Sequence, residues 1–331
     1  MRTVTAKLVG PKKFKIMEVE LPQLINGEVL IEIISCGICS SEFPIYNGEL
    51  IGTPGVSFRY KKYPADLGHE VVGKIVNIGK GVKNFEIGDL VTGMTYSGCG
   101  FAQHMNEKSV NLVKIPKNIK IKTENVLGEP IMAIVNILRQ IVPDFGDDIL
   151  IIGDGFMSLL TVAGLSHYPI SKLIVIGHHE NRLSLAKGFG ATNVINSKIC
   201  NAWEEVMKIT NKKGVEVSIE FAGTSTSLRL AASLCKAKSR AKLVLAASYN
   251  NDMPFTIGNY LQNRAPIIIP AYPNQSLNKI NDMKSGLWGL EKGIFSIEKL
   301  ITHKFKLSEI NKAMEIAMTR HNGYIKGIIL P

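Results

Sequence analysis

The sequence is short of cysteines, aromatic residues and long apolar runs, and each shortage removes a class of protein. Five cysteines, Cys36, Cys39, Cys99, Cys200 and Cys235, are scattered through 331 residues. An odd, dispersed set does not make the paired framework of small secreted domains and fits reduced thiols instead. Only Cys36 and Cys39 stand close, as CGIC, and no second CxxC completes a four-thiolate zinc knot. No uninterrupted apolar stretch reaches membrane-spanning length. The opening MRTVTAKLVGPKKFKI breaks into charge and Pro-Lys-Lys too early for a signal-peptide core. A cytoplasmic location with no membrane partner is therefore expected.

Aromatic residues make up 7% of the chain. A nucleic-acid surface favours lysines clustered on one face and interleaved with aromatics; here the lysines are spread along the chain, and no nucleic-acid partner is expected. The formal charge of +11 is read as a solvated surface. Its densest run, KAKSRAK from Lys236 to Lys242, precedes the apolar LVLAAS. That is the N-terminal end of a strand, away from where α/β sheets hold ligands.

With 45% apolar and 20% charged residues, the composition is that of a globular protein, and the length predicts two domains. Two textures follow one another. Roughly the first 125 residues carry short β-branched runs with Gly, Pro and Lys punctuation, such as EVLIEIISCGIC and GHEVVGKIVNIGKGVKNFEIGDLVTGM. From about residue 131, strands such as DILIIG, KLIVIG, VEVSIEFAG and LVLAAS alternate with helical segments. That alternation predicts βαβ units and a parallel sheet covered on both faces. LSEINKAMEIAMTR reads as an amphipathic helix and GYIKGIILP as a closing strand.

DILIIG runs into GDGFMS, which opens a helix. Gly153 permits the tight turn, Gly155 lets backbone approach a pyrophosphate, and the helix start at Phe156 and Met157 supplies N–H donors. Ser158 replaces the third glycine of the usual pattern and is small enough for close packing. A second apolar strand about 20 residues on lifts the pair of glycines above a chance match. That strand ends Gly177-His178-His179, with Arg182 shortly after. A carboxylate at 177 would repel a 2′-phosphate, and its absence leaves His179 and Arg182 to donate to one. NADP(H) is favoured over NAD(H) on that ground. Glu180 could still hold a ribose, or the segment could be an ordinary helix-leading turn with Arg182 in solvent.

The β-rich half carries Cys39, His69, Glu70 and, later, Glu129 in Gly-Glu-Pro. Thiolate, imidazole and carboxylate form the mixed donor set of a catalytic zinc that keeps one position open. CGICSSE, GHEVVGKIVNIGKGVKNFEIGDLV, LGEP, GDGFMS and ITHKFKLSEINKAME together resemble, in order and spacing over essentially the whole chain, the zinc-containing medium-chain dehydrogenase/reductase family of alcohol, polyol, threonine and sugar dehydrogenases. The resemblance implies an α/β protein with a GroES-like β-rich catalytic domain (residues 1–130 and 273–331) and a doubly wound Rossmann domain (131–272). It implies Cys39, His69 and Glu129 as zinc ligands, with Glu70 moving on or off the metal, and Ser41 as the hydroxyl that starts a proton relay.

Glu42 stands where relatives usually have Asp and could bond a ligand histidine. Pro44 replaces a relay histidine, and the missing four-cysteine lobe predicts one zinc per chain. Phe43, Tyr46 and Arg59 are candidates to border the pocket for a small alcohol or carbonyl substrate. The resemblance also implies a homodimer or homotetramer, paired through the last Rossmann strand, for which the apolar Ile267–Tyr272 edge is suited. Two other readings remain: a zinc-free quinone or enoyl reductase of the same fold, and a non-enzymatic nucleotide-binding protein on this scaffold.

Overall fold

The computed structural model describes residues 1–54, 60–96, 98–249, 258–321 and 323–331. The chain divides into two compact units. One comprises Met1–Met132, Met283–Gly293 and Ile297–Pro331, the other Ala133–Asp282 and Ile294–Ser296.

The first unit begins with a hairpin of β1 (Arg2–Gly10) and β2 (Lys13–Glu20), extended by the short β4 (Ala65–Asp66) on the far side of β1. Its larger sheet is built on β3 (Glu28–Gly37), which pairs antiparallel with β5 (Glu70–Ile78) and β7 (His104–Lys108). Beyond β5 lie β6 (Leu90–Met94) and β8 (Leu112–Lys114). α1 (Phe43–Tyr46) follows β3, and α2 (Gly128–Ile141) carries the chain into the second unit. Ile31, Val71, Ile75, Val91 and Met105 project from these strands into one core, the inward half of a period-two pattern.

The second unit is a six-stranded parallel sheet in the order β11-β10-β9-β12-β13-β14. Its strands are β9 (Asp148–Ile152), β10 (Lys172–Gly177), β11 (Asn193–Asn196), β12 (Val217–Glu220), β13 (Lys242–Leu245) and β14 (Ile267–Pro270). Counted within the sheet that is 3-2-1-4-5-6, the Rossmann order, whose direction reverses between β9 and β12. The central strands are buried nearly throughout, as strands covered on both faces require. α3 (Phe156–Leu165), α4 (Glu180–Gly188), α5 (Ala202–Ile209) and α6 (Ser225–Leu234) alternate with them. β14 lies at the sheet's edge with Ile267 47% and Ile268 44% exposed.

The chain then returns to the first unit. α7 (Ile310–Thr319) buries Ile310, Ala313, Met314 and Ala317, the i, i+3, i+4, i+7 stripe of an amphipathic helix. Asn311 on that helix bonds both the N–H and the C=O of Phe14 in β2, at 2.8 and 3.1 Å. Parallel strands β15 (Ile301–Lys306) and β16 (Lys326–Leu330) close the large sheet, with β16 antiparallel to the end of β3. Among the described residues, no helix is long and apolar enough to cross a membrane.

Candidate metal centre and nucleotide turn

Three sequence-distant segments meet where β3 ends. The register sets Gly37 of β3 opposite Glu70, the first residue of β5, and opposite Ile328 of β16. Past Gly37 the chain passes Cys39 and enters a 3-10 turn, Ser40–Glu42, that runs into α1. Gly68, at φ +97, turns His69 into the same space; a Cβ there would lie 2.7 Å from the Phe101 amide nitrogen, so only glycine fits. One ligand atom each of Cys39, His69 and Glu70 then lies within 4.8 Å of the others, with His69 and Glu70 buried.

The surroundings orient this group. Glu42 accepts from the Gly68 N–H at 2.8 Å and faces His69 Nδ1 at 2.9 Å. A carboxylate on Nδ1 fixes the ring and leaves Nε2 for a cation. Burial alone would depress the His69 pKa, but the charge of Glu42 and the Cys39 sulfur outweigh it and hold the imidazole well above its ordinary value. The Ser41 hydroxyl donates to Cys39 Sγ at 3.2 Å, so the expected relay hydroxyl stands beside that sulfur. Cys36, by contrast, is wholly buried, and burial first, then the charges of Glu42 and Glu70, push its thiol well up. It packs as a small apolar residue.

Glu70 has a partner that the sequence reading missed. Lys326 Nζ, at the start of β16, lies 2.7 Å from one carboxylate oxygen and 2.6 Å from the other, and donates to the Ile38 carbonyl at 2.9 Å. Both side chains are buried. Burial works against the ammonium, yet the charges of Glu70 and Cys39 more than compensate and raise its pKa. The available signal was a lone lysine inside the apolar closing strand.

Glu129, in the first turn of α2, is buried but is not part of the 4.8 Å group. Burial pushes its carboxyl up to about 7, with His69 pulling down and Glu70 pushing up. Tyr46 departs from its expected pocket role. Its ring stacks on Phe14 at 5.7 Å and its hydroxyl donates to the Lys12 carbonyl at 3.2 Å, so it is a core residue with its polar tip already bonded. Phe43 packs half-buried against the same core. Arg59 lies outside the described residues.

In the second unit, Gly153 at φ +121 turns the chain from β9 towards α3. A Cβ on it would meet Ser158 Oγ at 3.1 Å and Phe221 Cβ at 3.2 Å. Gly155 is the N-cap of α3: no side chain caps the turn, and nothing lies within 4 Å of where its Cβ would be. Phe156 and Met157 open α3 there, and a helix start without a side-chain cap suits an anion.

The segment from Gly177 to Arg182 is arranged differently from the expectation. The reading in favour of NADP(H) supposed that His179 and Arg182 were available to a 2′-phosphate. Both instead face Asp154, the residue between the two glycines: His179 Nδ1 lies 2.9 Å from its Oδ2 and Arg182 Nη1 3.6 Å from its Oδ1. Arg182 is 3% exposed and so is not in solvent either. The His178 ring lies 2.9 Å from the Ser197 hydroxyl. Glu180 accepts from the side chain of Asn196.

Residues 25–129 match the model of the alcohol dehydrogenase GroES-like domain and residues 157–281 that of the zinc-binding dehydrogenase. The chain is 27% identical over 359 residues to a sorbitol dehydrogenase of Bacillus subtilis, covering 98% of this chain and 96% of that protein. It is 28% identical over 339 residues to an L-threonine 3-dehydrogenase of Pyrococcus furiosus, covering 94% of each. Its fold is similar to that of 2R,3R-butanediol dehydrogenase from Bacillus subtilis, with a TM-score of 0.84 over 99% of each chain at 21% identity. With a GroES-like unit that gathers Cys39, His69 and Glu70 and a Rossmann unit with an uncapped glycine turn, the chain belongs to the zinc-containing medium-chain dehydrogenase/reductase family.

Proposed function

We propose that the chain is a zinc-dependent dehydrogenase that moves a hydride between a nicotinamide coenzyme and an alcohol or carbonyl substrate of the polyol, sugar-like or secondary-alcohol class. The convergence of Cys39, His69 and Glu70 within 4.8 Å carries the reading. A thiolate, an imidazole oriented by a carboxylate, and two buried carboxyl groups suit a divalent cation with one position left for substrate. Zinc held by Cys39 and His69 with Glu70 or Glu129 supplies a Lewis acid for the substrate oxygen, and the coenzyme supplies or takes the hydride.

The remaining work falls to side chains. Glu42 keeps the His69 ring in one tautomer. Ser41, 3.2 Å from Cys39 Sγ, is placed to take the substrate hydroxyl proton as it leaves, and Pro44, three residues on, offers no side chain to carry it further. Lys326 neutralises Glu70 and competes with a cation for it. The exposed isoleucines of β14 support pairing with a second copy across the sheet edge, so a dimer or tetramer is expected in light scattering.

The test is turnover of a panel of polyols and secondary alcohols by zinc-loaded protein with NAD+ and NADP+, followed by nicotinamide absorbance. Oxidation of a member of the panel that stops when the metal is chelated supports the reading. Turnover of quinones or enoyl compounds without metal would replace it with the zinc-free reductase. No turnover by protein carrying its zinc would favour a nucleotide-binding role.

A further inference from the structure

At the C-terminal end of the second Rossmann strand, NAD-dependent enzymes commonly set an acidic side chain against the adenosine ribose. Gly177 stands there in this chain, yet the space beside it is filled. A Cβ on Gly177 would lie 2.6 Å from Asp154 Oδ2 and 2.7 Å from Asp154 Cβ. The carboxylate that strand β10 lacks is therefore delivered from the glycine turn after β9.

Asp154 is 6% exposed and gathers the donors around it. Its Oδ2 accepts from the backbone N–H of His178 at 2.7 Å and of His179 at 2.9 Å, and the His179 ring lies 2.9 Å away. Arg182 Nη1 approaches Oδ1 at 3.6 Å. Burial pushes the Asp154 pKa up, but the hydrogen bonds from His178 and His179 outweigh it and lower the value. Two converging backbone N–H groups at the start of α4, an imidazole and a guanidinium form a complete anion site, and the anion in it belongs to the chain.

A ribose 2′-hydroxyl brings no charge to this site and needs an acceptor. A 2′-phosphate needs the same donors and adds like charge beside a buried carboxylate. We propose, on the basis of the dehydrogenase reading above, that Asp154 selects the coenzyme: it fills the place of the 2′-phosphate, makes the protein selective for NAD(H), and yields the site to NADP(H) when removed.

The experiment is calorimetric titration of zinc-loaded wild type, Asp154→Ala and Asp154→Asn with NADH and NADPH, and with 5′-AMP and 2′,5′-ADP as fragments that carry only the discriminating end. Wild type is expected to bind NADH and 5′-AMP at least tenfold more tightly than their phosphorylated counterparts. Asp154→Ala is expected to shift the NADPH-to-NADH and 2′,5′-ADP-to-5′-AMP affinity ratios at least tenfold towards the phosphorylated nucleotides, by gain of the 2′-phosphate and loss of the acceptor for the 2′-hydroxyl, and Asp154→Asn to fall between. Tighter binding of NADPH by wild type, or a ratio that neither variant moves, overturns the inference. If Asp154→Ala does not fold, the wild-type ratio and Asp154→Asn still decide it. Binding of neither nucleotide by wild type sinks the dehydrogenase reading and this inference together, whereas binding of both with an unmoved ratio sinks only the inference.

Discussion

The two units each bury a cluster of charge, but the clusters are built in opposite senses. Around Asp154 every donor turns inward on one carboxylate, so the cluster is complete within the chain. Around Cys39, His69 and Glu70 the carboxyl groups of Glu42, Glu70 and Glu129 gather near His69 and the buried ammonium of Lys326. Buried charge is tolerated when it is paired or when it holds a metal. The first cluster is paired and fixes a loop. The second gathers several acceptor groups in one buried space, and burial pushes the Glu129 carboxyl up to about 7.

The comparison can be broken most severely at the metal ligands. His69→Ala or Cys39→Ser should leave protein that folds but retains almost no zinc, with kcat/KM down by about four decades, a loss of several kcal/mol of Lewis-acid stabilisation. Metal analysis beside kinetics separates this from misfolding. Next in size is Lys326→Met, which removes the ammonium and leaves Glu70 buried without it. Breaking a buried pair from one side costs about 3–5 kcal/mol, to be read in the urea midpoint, and excess zinc should recover part of it because Glu70 then has another cation.

Asp154→Ala should cost somewhat less, about 2–3 kcal/mol, since it strands two backbone donors and removes a carboxylate partner of the buried Arg182. Its effect should depend on pH in one direction. The folded pKa of Asp154 is depressed, so its stabilisation is present above the ordinary carboxylate value near 4 and is lost as pH falls through the depressed one. The gap between wild type and variant should thus be full at neutral pH and close in acid. Smallest of all is Glu18→Ala. Its partner Arg2 sits 3.4 Å away, both side chains are more than half exposed, and removal should shift stability by less than about 0.5 kcal/mol. A larger change would mean that surface pairs, and not only the buried clusters, hold this chain together.

Much of this architecture was legible in the residues. The alternation from DILIIG onward names the parallel sheet because strands covered on both faces are apolar runs of fixed length, and the glycines of GDGFMS mark a turn that needs a positive φ at Gly153. Glu42 was readable as a histidine partner, and it makes that bond. The helix α2 went unread although Glu129, Asn136 and Gln140 recur at helical spacing: residues 125–138 are all buried, so its polar side chains do not mark a solvent face. Tyr46 misled because sequence gives its distance from Cys39 but not the direction of a short helix. Lys326 and Asp154 were missed for a shared reason. Each acts on a residue far along the chain, Glu70 or the 177–182 segment, and only the sheet register of β16 against β3 and the crossover from β9 to β10 bring the partners together. The sequence showed Gly177 without an acid and could not show that another segment had supplied one.

The most direct test of the account is zinc content together with zinc-edge X-ray absorption on the purified, metal-supplied protein. It predicts one zinc per chain, with one sulfur neighbour at about 2.3 Å and nitrogen or oxygen neighbours at about 2.0–2.2 Å, and loss of that zinc in His69→Ala. No bound zinc, or a zinc whose neighbours persist unchanged in His69→Ala, would contradict it.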